Sequence, residues 1–579
     1  MYELLFEFPD NVTGKATPRM FEKPVRILQA NELDEVEEVF EEVNHALDQG
    51  YYVAGYVSYE AAPAFDPAFQ VHEAKGFPLV WFGVYEQMKQ GFPSGKDESY
   101  QLSDWNLDGD FASYQQGISK IRQAIEDGDT YQVNYTVRMK SKFEGDDNSF
   151  YRQLARNQKG DYSAHLNTGR YRILSASPEL FFKVDNGRIT TKPMKGTSKR
   201  GRYSKEDEVL KETLRHSEKD QAENLMIVDL LRNDVGRIAE AGTVNVPKLF
   251  SIESYPTVHQ MTSTIEAVLK QRMTPFDWFK ALFPCGSITG APKVSTMRFI
   301  SELEQSARRV YCGAIGYMTP EREAIFNVPI RTVTIDTDTD EAVYGTGGGI
   351  TWDSTAEGEY EELLTKARLL TEKRKEFQLL ETLRMEAGEF PLLDYHMKRL
   401  TDSVRYFGFA VPISRVIMAL EKCRKKYPDG NHKVRVLVSE GGEVDITATP
   451  IKREMNTIRS SIASAPIDRM NPFLFNKTTE RSIYENLQQQ APTHAETVLL
   501  WNDKDELTEF TIGNLVIEKN GEYYTPPVEC GLLPGTRRQQ LLVEGILKEQ
   551  VITKHLLDEA DQVWMINSVR GWVKVSFIY

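Results

Sequence analysis

The segment KPMKGTSKR, residues 192–200, sets Lys195 beside a glycine in a basic loop, where one amine can be held against an electrophile. A lysine attacks only when deprotonated, and Lys192, Lys199, Arg200 and Arg202 are the neighbours whose like charge would depress its pKa. Two helical patterns carry carboxylates. EGEYEELLTKARLL puts Glu359, Glu362 and Lys366 at i, i+3 and i+7 on one face, with Leu363, Ala367 and Leu370 on another. AENLMIVDLLRNDVGRI assigns Leu225, Val228 and Leu231 to the core and adds Glu223, Asp229 and Asp234. Such faces read either as solvated surface or as donors for a hard divalent cation such as Mg²⁺, which takes one or two carboxylates with waters and substrate oxygens. GTGGGI, residues 345–350, is not a GxGxxG dinucleotide fingerprint, and its successive amides suit a nest for a carboxylate. PCGSITGAPK, residues 284–293, offers similar amides with the Ser287 and Thr289 hydroxyls, or is a loop that opens a helix.

These residues need a scaffold. At 579 residues the chain exceeds what one core serves and should divide into at least two domains. Residues 1 to about 105 mix strand-like runs (YYVAGYVSY, FPLVWFGVY) with a polar helix near Glu32–Asp48, and QGFPSGKDESYQLSD reads as a loop. From Phe111 to Glu372 long amphipathic helices alternate with β-rich runs such as YRILSASPELFFKV and AIFNVPIRTVTID, an α+β arrangement. The charged stretch TEKRKEF, residues 371–377, precedes a new strand, LLETLRM, which places domains at 1–372 (chemistry-bearing core about 111–371) and 377–579.

Composition narrows the function classes. Hydrophobic residues at 40% and charged residues at 27% describe an ordinary globular chain, and a net charge of −15 disfavours nucleic acid and anionic membrane as partners. Four cysteines without CxxC or zinc-like spacing point to a reducing compartment. With neither a signal-peptide pattern nor an apolar run of about 18 residues, the expectation is a cytoplasmic protein.

Taken together, PMKGT, SASPELFF, AENLMIVDLLRNDVGRI, HQMTSTI, GSITGAPK, IRTVTID and GGGITWDS…EYEELLTKA resemble the chorismate-utilising enzyme family, in the family's order. The resemblance implies an α/β sandwich that holds a carboxylate of chorismate through Mg²⁺ and displaces the ring 4-hydroxyl. It implies Glu223 and Glu362, with Glu359 beside them, at the metal, and Glu179 as the acid/base that protonates the leaving hydroxyl. Arg331, Lys366, Ser287 and the amides of Thr289–Gly290 and Gly345–Gly349, including Gly347 and Gly348, form the carboxylate cradle, and His259 lies beside the leaving group. Members that add water carry a lysine base where this chain has Gln132, so ammonia is the implied nucleophile. Anthranilate-forming members have alanine at the position of Lys195, so the chain resembles the branch that aminates carbon four. There the amine must end where the hydroxyl left. Lys195 adding at ring carbon two as hydroxide departs lets ammonia enter at carbon four and expel the lysine, which splits one hard step into two.

NKTTER…LTEFTIGN…GLLPGTRRQ, with the opening LLETLRMEAGEFPLLDYHMKRLTDSVRYFG, resembles the fold-type IV pyridoxal phosphate enzymes, which include class IV aminotransferases and aminodeoxychorismate lyases. The resemblance implies Lys477 as the Schiff-base lysine and Glu509 against the pyridinium nitrogen. Arg399 and the amides of Ile512–Gly513 and Gly535–Thr536 are implied at the phosphate. Aminotransferases share these parts, so the second domain alone leaves lyase and aminotransferase open. Coupling to the first domain favours a lyase that releases pyruvate and leaves 4-aminobenzoate. The alternatives are fusion to an aminotransferase, or one half acting as a non-catalytic regulatory or docking module. No cysteine stands in a glutaminase-like elbow, so a separate glutamine amidotransferase subunit is expected to deliver ammonia. The resemblance also implies a homodimer through the pyridoxal phosphate domain.

Overall fold

The structure, a computed structural model, describes residues 2–10, 14, 16–92, 98–451 and 454–578. Residues 93–97 of the segment expected to be a loop lie outside the described residues. The chain forms two compact units, one of Met1–Arg200 with Lys211–Arg374, the other of Gly201–Leu210 with Lys375–Tyr579. Residues 201–210, assigned by sequence to the first domain, therefore group with the second unit, where Tyr203 stacks on Phe475 at 5.2 Å.

In the first unit, alternating or continuous apolar runs make antiparallel strands of two sheets, eleven- and ten-stranded. The sheets pack face to face over one core, in which Phe6 and Phe8 of the strand Glu3–Pro9 meet Tyr317 of the strand Ala314–Met318 at 5.4 and 6.0 Å. Strand Val80–Tyr85 is buried at every position. Helix Glu35–Asp48 covers that sheet with Val36, Val39, Phe40, Val43 and Leu47, the i, i+3, i+4 stripe of a half-buried helix.

Three local arrangements position the chemistry. The strand Gln132–Gly145 pairs with Glu341–Ile350 along residues Val133 to Lys142 and with the short strand Gly290–Ala291. The strand Met194–Lys199 lies at the edge of the second sheet against Val258–Val268, with a register shift between Met194 and Thr197. That bulge contains Lys195 and Gly196, and bulges re-aim the side chains they carry. Gly196 has φ +96°, and a Cβ there would stand 3.0 Å from Asp220 Cβ and 3.2 Å from Met261 Cβ, so only glycine fits without strain. Helix Glu218–Ile238, capped by the Ser217 hydroxyl accepting from Asp220 N, packs on this edge.

The buried face of that helix differs from the sequence expectation. Ile227, Val228, Leu231, Val235 and Ile238 enter the core with Asn224, whereas Leu225 is 43% exposed. At about 100° per residue Leu225 falls well off the stripe centred on Leu231. Asp234 is buried in an ion pair with Lys293 at 2.9 Å, and Asp229 is paired with Arg232 on the surface.

A buried ion cluster ties the strand Gln132–Gly145 to the segment that leaves the helix Lys293–Leu303. Glu304 accepts from Arg308 at 2.6 and 3.1 Å, from Arg138 at 3.0 Å, and from the Thr136 amide and hydroxyl at 2.9 and 2.7 Å. Both arginines hold its carboxyl below the usual range despite burial. Glu304→Gln leaves two buried guanidiniums short of a counter-charge and is expected to cost the first unit about 3–5 kcal/mol. Urea unfolding followed by a probe in residues 1–200 measures this, and a loss below about 1 kcal/mol would mean the cluster is solvated.

The second unit combines a three-stranded antiparallel sheet, Leu379–Glu386, Asn431–Val438 and Val444–Pro450, with a nine-stranded mixed sheet. Val434, Val436 and Val438 face a core shared with helices Leu393–Phe407 and Ile413–Lys426, which turns Lys433 and Arg435 to the opposite face. Among the described residues no helix is long and apolar enough to cross a membrane.

Candidate active sites

The first unit holds a cavity of about 460 Å³, and Lys195, Glu179, Gln132, Ser287, Glu223, Glu359, Glu362, Lys366, Arg331, Gly347 and Gly348 all stand on its wall. Burial lowers the Lys195 amine below the ordinary lysine range, against the pull of Glu223 and Glu179. The source of that depression differs from the sequence expectation. Lys192 is neutralised by Glu253 at 2.6 Å and Arg202 by Glu206 at 2.9 Å, and the cation that does act on Lys195 is Lys366. Asn224, which the sequence reading passed over, donates to Lys195 O at 3.2 Å and to Met261 O at 3.3 Å and accepts from Ser263 Oγ at 2.6 Å, clamping the bulge from the helix.

Glu179 is buried, and desolvation pushes its carboxyl up to about 7, where it exchanges a proton near neutrality. Ser287 Oγ donates to it at 2.6 Å. Both side-chain amide atoms of Gln132 are buried with no hydrogen-bond partner among the described residues. A Cβ on Gly349 would lie 2.0 Å from Gln132 Nε2 and 2.9 Å from Lys195 Nζ, so glycine there lets the strand pass against both groups.

The stretch 345–349 is not the compact nest expected of it. Gly345–Ile350 runs extended and pairs residue by residue with Val133–Arg138, because a strand partner satisfies the backbone groups that a nest would turn inward. Lys366 Nζ instead donates to Gly347 O at 2.8 Å and pairs with Glu362 Oε1 at 2.7 Å, while Arg331 donates to Lys366 O at 3.0 Å. Thr289, Gly290 and His259 are not on the cavity wall. The Thr289 hydroxyl caps Cys285 O at 3.1 Å and Gly290 pairs with Val133. His259 alternates with Val258 and Gln260, which do line the cavity, and its Nδ1 stands 3.0 Å from Ser254 Oγ.

Among the described residues no group of three or more His, Cys, Asp or Glu is gathered closely enough to hold a metal ion alone. The donor set nonetheless suits a hard cation. Glu223 and Glu359 line one cavity with carboxyls raised by burial and by neighbouring carboxylates, Asp220 and Glu359 acting on Glu223 and Glu362 acting on Glu359, and a cation relieves both. Lys366 keeps Glu362 ionised. Mg²⁺ needs few protein ligands, since it keeps several waters.

The second unit has its own cavity of about 360 Å³, lined by Lys477, Glu509, Arg399, Ile512, Gly513, Gly535 and Thr536, every residue expected there. Burial, with Arg399 and Arg481, lowers the Lys477 amine to about 8. Arg399 donates to Glu381 at 2.8 and 2.6 Å and to Pro534 O at 3.3 Å, and His396 Nδ1 lies 2.7 Å from the same carboxylate. Arg399, with the His396 imidazole, holds Glu381 at about 2 despite its burial. This buried clamp, which fixes the guanidinium at the cavity, was not read from sequence. Nor was Tyr484, whose hydroxyl donates to Glu509 at 2.8 Å, with Asn514 Nδ2 donating at 3.3 Å. Burial pushes Glu509 up to about 7. A Cβ on Gly535 would lie 1.9 Å from Asn514 Oδ1, so the approach to the helix Thr536–Val543 is built for glycine. A neutral-leaning amine, a buried carboxylate and a guanidinium at a glycine-lined helix start fit pyridoxal phosphate.

The folds these cavities sit in are those of known families. Residues 86–372 match the chorismate binding enzyme family and residues 378–578 the amino-transferase class IV family, so the chain joins a chorismate-binding fold to a class IV aminotransferase fold. The first part is 41% identical over 283 residues to aminodeoxychorismate synthase component 1 of Escherichia coli, a match covering 49% of this chain and 62% of that one. It is 38% identical over 253 residues to anthranilate synthase component 1 of Aquifex aeolicus, covering 44% of this chain and 51% of that one. The chain thus spans less than two thirds of the length of these curated relatives. Among solved structures, anthranilate synthase component I from Streptococcus pneumoniae superposes with TM-score 0.55 and 27% identity, over 61% of this chain and 91% of that one.

Proposed function

We propose that the chain makes 4-aminobenzoate from chorismate and ammonia in two steps, one in each unit. The carrying observation is Lys195, its amine driven toward the neutral form by burial on the wall that also bears Glu179 and the acidic pair of facing helices. In the first step Lys195 Nζ bonds to ring carbon two, the two ring double bonds shift, and the carbon-four hydroxyl leaves with a proton from Glu179, as water. Ammonia then bonds to carbon four, the double bonds return, and the lysine nitrogen leaves carbon two. Gln132, with an unpartnered buried amide beside Lys195, orients the incoming nitrogen without taking its proton. Lys366 and Arg331 supply positive charge for the substrate carboxylates.

Glu223, Glu359 and Glu362 would hold Mg²⁺, which when bound supplies a fixed positive charge for a carboxylate of chorismate. Glu223→Gln or Glu362→Gln should raise the Mg²⁺ concentration for half-maximal chorismate consumption about tenfold or more, because each amide gives up the charge a divalent cation favours. The second unit's reaction should be unaffected. A metal titration that superposes on the wild type for both variants would remove them from the site.

In the second step Lys477 takes the proton from the amine-bearing carbon as the bond from carbon three to the ether oxygen breaks, releasing pyruvate and an aromatic ring. Pyridoxal phosphate supplies the electron sink when bound, with Glu509 against its ring nitrogen and Arg399, Gly535 and Thr536 toward its phosphate. Release of pyruvate without any added keto acid separates this reading from amino transfer. Ammonia would come from a separate glutamine amidotransferase subunit. Cys285, Cys312 and Cys530 are buried with thiols raised to about 12, 11 and 12, the opposite of an activated nucleophile.

A further inference from the structure

Within the strand Met194–Lys199 the pairing with Val258–Val268 is interrupted once. Met194 pairs with Thr262 and Thr197 with Gln260, so Lys195 and Gly196 together stand opposite the single residue Met261. One side chain spans that interruption. Asn224 Nδ2 carries two hydrogens and donates to Lys195 O on one strand at 3.2 Å and to Met261 O on the other at 3.3 Å. Its orientation is set from behind. Phe250, held at φ +55°, donates its N–H to Ser263 Oγ at 3.2 Å, so the Ser263 proton goes to Asn224 Oδ1 at 2.6 Å and the amide nitrogen faces the two carbonyls. Asn224 and Ser263 are fully buried beside the apolar cluster of Ile227, Val228, Leu231 and Ile265. Polar groups in such a place cost free energy to desolvate, and a network that uses both of the amide's hydrogens rigidifies what it holds. Here it holds the backbone of Lys195. The Met194 amide at the edge of the same bulge donates to the Glu179 carboxylate, and Glu223 precedes Asn224 on its helix.

We propose that Asn224, oriented by Ser263, is a positioning residue for Lys195, fixing the bulge so that the amine enters the cavity along the line on which it bonds to substrate. The clamp acts through the backbone. With Lys195 O pinned, the side chain leaves the strand in one direction, and Gly196 at φ +96° lets the chain turn directly after it. The inference rests on the covalent reading of Lys195 and adds what sets the direction of its amine.

The test uses the full chain with Mg²⁺ and pyridoxal phosphate. Asn224→Asp keeps the shape but turns an acceptor toward the two carbonyls. Ser263→Ala removes only the group that orients the amide, and so carries the same comparison at smaller cost to the fold. Each is made alone and together with Lys195→Ala. Single-turnover chorismate consumption with ammonium and chorismate affinity are measured, and carbamoylation of Lys195 by cyanate is followed by peptide mass spectrometry against the other lysines. Asn224→Asp should slow turnover about thirtyfold or more and Ser263→Ala about three- to tenfold, with chorismate affinity within about twofold and Lys195 carbamoylation lowered in the same order. In the Lys195→Ala background neither should add more than about twofold, because no amine is left to position. An equal loss with and without Lys195, or carbamoylation unmoved in both variants, would overturn the inference and leave the covalent reading intact. Wild-type turnover in Lys195→Ala, with carbamoylation of Lys195 still falling in the single variants Asn224→Asp and Ser263→Ala, would uphold the positioning and refute the covalent reading.

Discussion

Lys195→Ala stops 4-aminobenzoate formation from chorismate and ammonium, with a loss on the order of a thousandfold, or about 4 kcal/mol of barrier. The variant deletes the atom proposed to bond to ring carbon two and leaves Lys366, Arg331 and the acidic helices in place, so chorismate should still bind with nearly its original affinity. A merely structural role gives a different result. If Lys195 only propped the bulge, Asn224 and Gly196 would still fix the backbone through Lys195 O and Met261 O, and the rate would fall little. Single-turnover kinetics on the variant, with exogenous amines excluded, separates the two outcomes, and a wild-type rate would end the covalent proposal.

Lys477→Ala produces the second large effect, accumulation of aminated chorismate with no pyruvate released. The first unit retains its lysine, acid and carboxylates, while the second loses the amine proposed to take the ring proton. Turnover in the second unit should drop about a thousandfold or more. Arg399 and Glu509 remain, so cofactor can stay bound non-covalently. Borohydride reduction of the wild type followed by peptide mapping checks the assignment, since a label on any lysine other than Lys477 would refute it.

How much of this was legible in the sequence depends on how local the signal is. Glu359, Glu362 and Lys366 were readable because helical spacing fixes a common face, and the structure puts all three on one cavity wall. Lys477, Glu509 and the glycine turns were readable because local motifs carry them. What was missed depends on contacts far apart in the chain. The clamp of Glu381 on Arg399 and His396 joins a strand to a helix, and no spacing rule announces it. Asn224 lies within a motif but earns its place through Met261 and Ser263, thirty-seven and more residues away. His259 was expected at the substrate, yet alternation along its strand turns Val258 and Gln260 to the cavity instead. Lysine neighbours in sequence were taken as the cause of the Lys195 shift, and burial in a three-dimensional cavity proved to be the larger one.

Product analysis of the purified full chain, given chorismate, an ammonium salt, Mg²⁺ and pyridoxal phosphate, tests the central claim most directly. The account predicts 4-aminobenzoate and pyruvate in equal amounts with no keto acid added. Formation of 2-aminobenzoate or isochorismate, or of an aminated product that loses its nitrogen to a keto acid without releasing pyruvate, would contradict it.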